Sequence, residues 1–187
     1  MERNRENRLK IHLLKTGQCS HADMSLFARA KAVSLAAKDL NVSEKDIDIK
    51  TDVYGKPYIV EYEQWHFSIT HTAGMIGIAI SDESVGIDAE KICDADLRIT
   101  KRFFTAQENL RIENSANKNK RFLEIWTKKE AYLKYIGKGL HTPMRSFDVF
   151  ELANKFESFE ECGYMISICH DRIRDIEISI ERCDLTQ

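Results

Sequence analysis

From Arg121 to Ile136 the apolar residues Phe122, Ile125, Trp126, Leu133 and Ile136 recur at helical spacing, and Gly137 and Gly139 end the run. A helix with such a stripe is stable only when the stripe is buried, so the rest of the chain has to supply a cover for it. The same helix carries Glu130 and Lys134 one turn apart on one face. Lys128, Lys129, Lys134 and Lys138 surround that single carboxylate, a cluster suited to a phosphate held near a metal. Two plainer readings stand beside it. Thr127-x-x-Glu130 has the pattern of a capping box, and Glu130 to Lys134 is an ordinary helix ion pair worth about 0.2–0.5 kcal/mol.

Upstream, Val85-Gly-Ile-Asp-Ala-Glu90 places Asp88 and Glu90 at alternate positions, so an extended chain aims both to one side. Paired carboxylates of this kind suit Mg²⁺, a hard cation that takes oxygen ligands; a solvated strand end is the alternative. Gly86 lets another backbone or a ligand approach closely.

The other elements follow in order. Leu9 to Leu14 reads as a strand after a charged, loosely held start. Met24 to Leu40 reads as a helix, with Met24, Phe27, Ala30, Val33, Ala37 and Leu40 at helical spacing and Asn41 as its stop. Ile47 to Thr51 reads as a short strand, Tyr54 to Pro57 as a turn before Tyr58-Ile-Val60, and His66 to Thr70 as another strand. Met75 to Ile80 is a β-rich segment, Ser81 to Ser84 a turn, and Val85 to Glu90 completes a hairpin-like unit. Leu97 to Phe104 reads as helical, and Thr105 to Glu108 fits a capping box opening a further helix. Asn114 to Asn119 is a polar loop. Phe147 to Phe150 and Tyr164 to Ile168 read as strands, and Arg174 to Glu181 alternates with Ile176, Ile178 and Ile180 on one half-buried face. A helix followed by strands thus occurs before Ser84 and again after it, a faint duplication.

Composition narrows the function. A net charge of −2 argues against wholesale binding to nucleic acid or an anionic membrane. The longest apolar run, Met75 to Ile80, is too short to span a bilayer, and the N-terminus lacks the apolar segment of a signal peptide. The five cysteines include no Cys-x-x-Cys pair, so reduced, partly buried thiols in a cytoplasmic protein are expected.

Taken together and in this order, Gly55-Lys-Pro57, Phe67-Ser-Ile-Thr-His71, Val85 to Glu90, Arg102-Phe-Phe104 with Glu108, and Trp126-Thr-Lys-Lys-Glu-Ala-Tyr-Leu-Lys134 with Gly137-Lys-Gly-Leu140 carry a resemblance. From about Ile47 to Ile168 the chain resembles the 4′-phosphopantetheinyl transferases of the surfactin-synthetase-activating type. The resemblance implies an α+β fold, a pseudo-dimer of two similar halves, residues 1–84 and 85–187, with coenzyme A between them. It implies transfer of the phosphopantetheine arm of coenzyme A to a serine of an apo acyl or peptidyl carrier protein, releasing adenosine 3′,5′-bisphosphate. A monomer is expected, with no nucleic-acid or membrane partner.

Carried over by position, Asp88, Glu90 and Glu130 would bind Mg²⁺. Glu130 would also take the serine proton, and Lys134 would meet the leaving bisphosphate. Lys129 would contact phosphate, Lys56 and Pro57 would border the adenine, and Thr70 and His71 would bind phosphate, His71 the 3′-phosphate. The pattern departs at the N-terminus. Larger members have a longer basic first segment, here shortened to Met1–Ser20, and an arginine on the first helix, here near Val33. Arg29, on the same helix face, takes that role in this reading. Two other functions fit the same residues: a non-catalytic module that binds coenzyme A or a carrier protein, and a Mg²⁺-dependent phosphohydrolase.

Overall fold

The computed structural model describes residues 8–171 and 175–183. The expectations for residues 1–7 and for Arg174 lie outside these. Two sheets stack face to face between two helices.

The first sheet contains β1 (Arg8–Thr16), β4 (His66–Thr72), β5 (Met75–Ser81) and β9 (Asp175–Cys183), in the order β4-β5-β1-β9. β1 pairs antiparallel with β5 (Ile11 opposite Ala79) and parallel with β9 (Ile11 opposite Ile178). The second sheet orders β6 (Gly86–Lys91), β8 (Tyr164–Cys169) and β7 (Phe156–Glu161), all antiparallel. A two-stranded ribbon joins β2 (Ile49–Thr51) to β3 (Pro57–Ile59).

Side-chain alternation sorts the core into layers. Ile76, Ile78 and Ile80 face helix α1 (His21–Leu40), while Met75 and Ala79 of the same strand face the second sheet. Between the sheets Leu9, Ile11 and Leu13 meet Ile87, Ile166 and Ile168. Beyond the second sheet, helix α4 (Lys118–Ile136) packs Phe122 and Ile125 with Met165 and with Phe104 and Ile112 from the segment carrying α2 (Thr100–Phe103) and α3 (Ala106–Glu113). The fold is α+β.

Local chemistry explains where the helices start and stop. Ser20 caps α1 by accepting from the Asp23 amide, so α1 begins before Met24, and Asn41 ends it in the left-handed region at φ 57°. Its inward stripe is Met24, Ala28, Ala32 and Ala36, narrower than expected, and Ala30 is exposed. Asn117 caps α4 at Lys118, inside the stretch read as a loop, and Gly137 at φ 70° closes the far end. The capping box of Thr105 and Glu108 is present.

Three expectations need correction. Val85 to Glu90 forms no hairpin with Met75 to Ile80, because β5 already has β4 and β1 on its two edges; β6 pairs with β8 instead. Phe147 to Phe150 is a turn, because the Val149 amide donates to Glu108 and the Phe150 amide to Asp148, leaving neither for a sheet ladder. Leu97 to Phe104 is helical as expected, a 3₁₀ helix over Leu97–Ile99 followed by the short α2. On β9, Ile176, Ile178 and Ile180 are 39%, 44% and 46% exposed. They lie beside Leu9, Ile11 and Leu13, but the core between the sheets takes in β1 and leaves out β9, the edge strand.

Among the described residues no helix is long and apolar enough to cross a membrane. Four cysteines are free: Cys169 is buried, Cys19 half-buried, and Cys93 and Cys162 are exposed. The Cys183 side chain lies outside what is described.

Candidate active site

The site exists because β6 and α4 touch backbone to backbone. A Cβ on Gly86 would lie 2.0 Å from the Ala131 carbonyl oxygen and 2.6 Å from the Tyr135 nitrogen. That approach, open only to glycine, brings Asp88 and Glu90 of β6 beside Glu130 and Lys134 of α4.

Lys134 Nζ donates to Asp88 Oδ1 at 2.7 Å and to the Ile87 carbonyl at 2.9 Å. The local expectation of a Glu130–Lys134 helix pair is therefore replaced by a pair across the interface between helix and sheet. Thr127 is no cap: its hydroxyl bonds the Leu123 carbonyl at 2.9 Å and Ser167 Oγ at 2.7 Å, deep in the packed helix.

Burial and neighbouring carboxylates raise the proton affinity of Glu130 and Glu90. Burial, then Asp88, pushes the Glu130 carboxyl up to about 6, with Glu90 adding and Lys134 opposing. Burial and Asp88 likewise raise Glu90, against hydrogen bonds from Thr72 and Trp126 and the charge of Lys134. Asp88 is 6% exposed, and among the described residues its Oδ2 has no hydrogen-bond partner. A buried orphan oxygen among three mutually repelling carboxylates is what a divalent cation would relieve. Among the described residues no group of three such side chains is already drawn together as a cation site; Lys134 supplies the positive charge at Asp88.

Strand β4 holds the acidic edge in place. The Ser68 hydroxyl accepts from the Ile87 amide at 3.1 Å, and Thr70 accepts from Ala89 at 3.3 Å. Thr70 also donates to Asp88 Oδ1 at 3.0 Å, and Thr72 donates to Glu90 Oε2 at 3.3 Å. Thr70 is 4% exposed and serves the carboxylate, so its expected phosphate contact is corrected. The signal for Ser68 and Thr72 was in the sequence: hydroxyls at every second position of one strand, Ser68, Thr70 and Thr72.

Lys129 is the second correction. It is 0% exposed and pairs with Glu108 at 2.9 Å. Its ammonium also donates to the Met144 and Phe147 carbonyls at 2.7 and 2.8 Å, over the Phe147 ring. The side chain points away from the cleft because Glu108, already receiving the Thr105 and Val149 amides, needs a buried cation.

A cleft of about 380 Å³ opens beside Glu130 and Lys134. It is lined by Ser25 and Arg29 from α1, Lys56 and Pro57 from the turn into β3, and His71 from β4. Of the expected nucleotide contacts, Arg29, Lys56, Pro57, His71 and Lys134 line it. Arg29 bonds the Ile49 carbonyl. Lys56 bonds Ser84 Oγ at 3.2 Å and the Tyr135 carbonyl at 2.9 Å, and burial lowers its pKa. The pKa of His71 is lowered by burial, then by His21 and Lys134, and among the described residues its Nδ1 has no hydrogen-bond partner.

In this α+β sandwich Glu130 and Lys134 line a cleft that Arg29, Lys56 and His71 also line, a setting of cations suited to phosphate. Residues 84–180, just over half of the chain, match the 4′-phosphopantetheinyl transferase superfamily, and the chain belongs to it. It is 38% identical over 110 residues to the 4′-phosphopantetheinyl transferase gsp of Aneurinibacillus migulanus, covering 58% of this chain and 46% of that protein. It is 34% identical over 118 residues to the 4′-phosphopantetheinyl transferase Sfp of Bacillus subtilis (strain 168), covering 62% and 53%. The chain thus spans about half the length of the curated relatives it matches.

Proposed function

We propose that this protein transfers the 4′-phosphopantetheine arm of coenzyme A to a serine of an apo carrier protein, in a Mg²⁺-dependent reaction. The observation that carries the reading is Glu130: a cleft-lining carboxyl raised to about 6, where a general base can work near neutral pH. The donor would lie in the cleft, with Arg29, Lys56 and Pro57 against the nucleotide and His71 at its 3′-phosphate. The two-half organisation, residues 1–84 and 85–187, belongs to the same reading. It is supported by a helix packed on a sheet in each part, α1 on β4 and β5, α4 on β6 and β8.

Asp88, Glu90 and Glu130 would hold the metal, which neutralises charge on the pyrophosphate and so makes it open to attack. Glu130 takes the proton from the carrier serine. The serine oxygen forms its bond to the phosphorus that carries the pantetheine arm, and the pyrophosphate P–O bond breaks. Adenosine 3′,5′-bisphosphate leaves with that electron pair, and the Lys134 ammonium stabilises its charge. Thr70 and Thr72 keep Asp88 and Glu90 from turning away.

The test is direct. Protein, Mg²⁺, coenzyme A and an apo carrier are mixed, and the carrier's mass is measured. The carrier gains one phosphopantetheine arm with the wild type and none with Glu130→Gln. Bisphosphate released without a carrier, or full transfer by Glu130→Gln, would overturn the assignment.

A further inference from the structure

The cation that meets Asp88 is Lys134, and its seat bears on how a metal would arrive. Gly86 lets β6 lie against Ala131 and Tyr135, which flank Lys134 on α4. The close approach that builds the acidic edge therefore also sets the lysine upon it. Its ammonium donates to Asp88 Oδ1 at 2.7 Å and to the Ile87 carbonyl at 2.9 Å.

The two oxygens of Asp88 are unequal. Oδ1 accepts from Lys134 and from the Thr70 hydroxyl at 3.0 Å, while Oδ2 has no hydrogen-bond partner among the described residues. Among the described residues, too, no three acidic or other ligating side chains are gathered into a cation site. One ammonium thus answers the charge at Asp88. The lysine is not locked in: its side chain is 29% exposed and lines the cleft with Glu130, Lys56 and His71.

We propose that Lys134 holds the place of the metal at Asp88 in the free protein, and releases Asp88 only when the pyrophosphate of the donor takes up the ammonium. The inference rests on the Mg²⁺ and coenzyme A reading and adds a binding order to it. The metal enters tightly with the donor and weakly without it.

The physical case is electrostatic. A divalent cation approaching Asp88 meets an ammonium already on that carboxylate, and like charges repel strongly where water is scarce. Moving the ammonium away unaided would cost it its carboxylate partner. A pyrophosphate changes both conditions. Its oxygens accept a charge-assisted bond from the ammonium, and the same group offers oxygen ligands to Mg²⁺. Asp88 then has its whole charge for the metal. Such coupling is reciprocal, so the donor tightens the metal as much as the metal tightens the donor.

The test is calorimetric titration of Mg²⁺ into the free wild type and into Lys134→Met, which keeps an unbranched side chain and removes the charge. Lys134→Met is expected to bind Mg²⁺ about tenfold or more tightly than the wild type, the size of effect that groups behind a ligand have on metal affinity. Adding Asp88→Asn should abolish that gain. Saturating coenzyme A, with no carrier present and so no transfer, should tighten Mg²⁺ binding to the wild type about tenfold more than to Lys134→Met. Circular dichroism verifies that the variant is folded; if it is not, Lys134→Gln replaces it with the same expectation. A merely structural lysine predicts an unchanged or weaker affinity for Mg²⁺ in the variant, and that result overturns the inference. So does a gain that survives Asp88→Asn. Equal tightening by coenzyme A in both proteins overturns the release of Asp88 to the donor. If neither protein binds Mg²⁺, with or without coenzyme A, the metal reading falls and the inference with it.

Discussion

Lys129 and Glu130 are neighbours on one helix and live in opposite electrostatic worlds. Lys129 is buried with every demand met: Glu108 neutralises it, two carbonyls accept from it, and the Phe147 ring lies beneath it. Glu130 lines a cleft among carboxylates that repel it, and its proton affinity is raised. Two consecutive helix positions point about 100° apart, so one can enter the core while the next faces solvent. The difference separates a charge that holds structure from one kept uncomfortable for chemistry. A satisfied buried pair is lost from stability when it is broken, whereas a strained carboxylate is lost from activity.

The comparison can be broken most sharply at Glu130. Glu130→Gln should lower transfer by about 10²–10⁴-fold, the range of a lost general base, while leaving the unfolding midpoint unchanged or higher. A drop in both by similar measure would erase the distinction from Lys129.

At Lys129 the reverse is expected. Lys129→Met leaves the Glu108 carboxylate buried without its cation and should cost about 3–5 kcal/mol in denaturant unfolding. Adding Glu108→Leu should recover most of that loss, because an apolar pair no longer strands a charge. If the double variant is no better than the single one, the pair holds more than its own charges.

The pH response sharpens the same contrast. Glu130 has a folded pKa raised to about 6 above its unfolded value, so its protonated form favours the folded state. Its contribution is present below the unfolded pKa and fades as pH rises through about 6. Stability of the wild type relative to Glu130→Gln should therefore fall across that window, while transfer by the wild type should rise, since the base must be ionised. Paired urea titrations at pH 4.5, 5.5 and 7 would check it; a difference independent of pH would overturn the assignment of the raised group.

Mg²⁺ should raise the melting temperature of the wild type and have no effect on Asp88→Asn, a readout independent of turnover. The smallest effect belongs to Thr70→Val, which removes one hydroxyl from Asp88 and should cost about 1 kcal/mol in stability. A larger loss in transfer than in stability there would make Thr70 a positioning residue for the acidic edge.

The sequence by itself determined the local elements and their faces. Helical spacing foretold α4, β-rich composition foretold β5 and β8, and Asn41 and Gly137 marked the helix stops. The same periodicities put Asp88 with Glu90 and Glu130 with Lys134, because backbone geometry sets which side chains share a side. Tertiary structure decided the partners. Lys134 meets Asp88, 46 positions away, and not Glu130 one turn back. Lys129 turns to Glu108, Thr70 to Asp88, and β6 to β8. The isoleucines of β9 alternate like a buried face yet lie at a sheet edge that the second sheet does not cover. Periodicity fixes direction within an element, but a charge or an apolar face chooses its partner only after distant segments have packed, when burial removes water as the alternative.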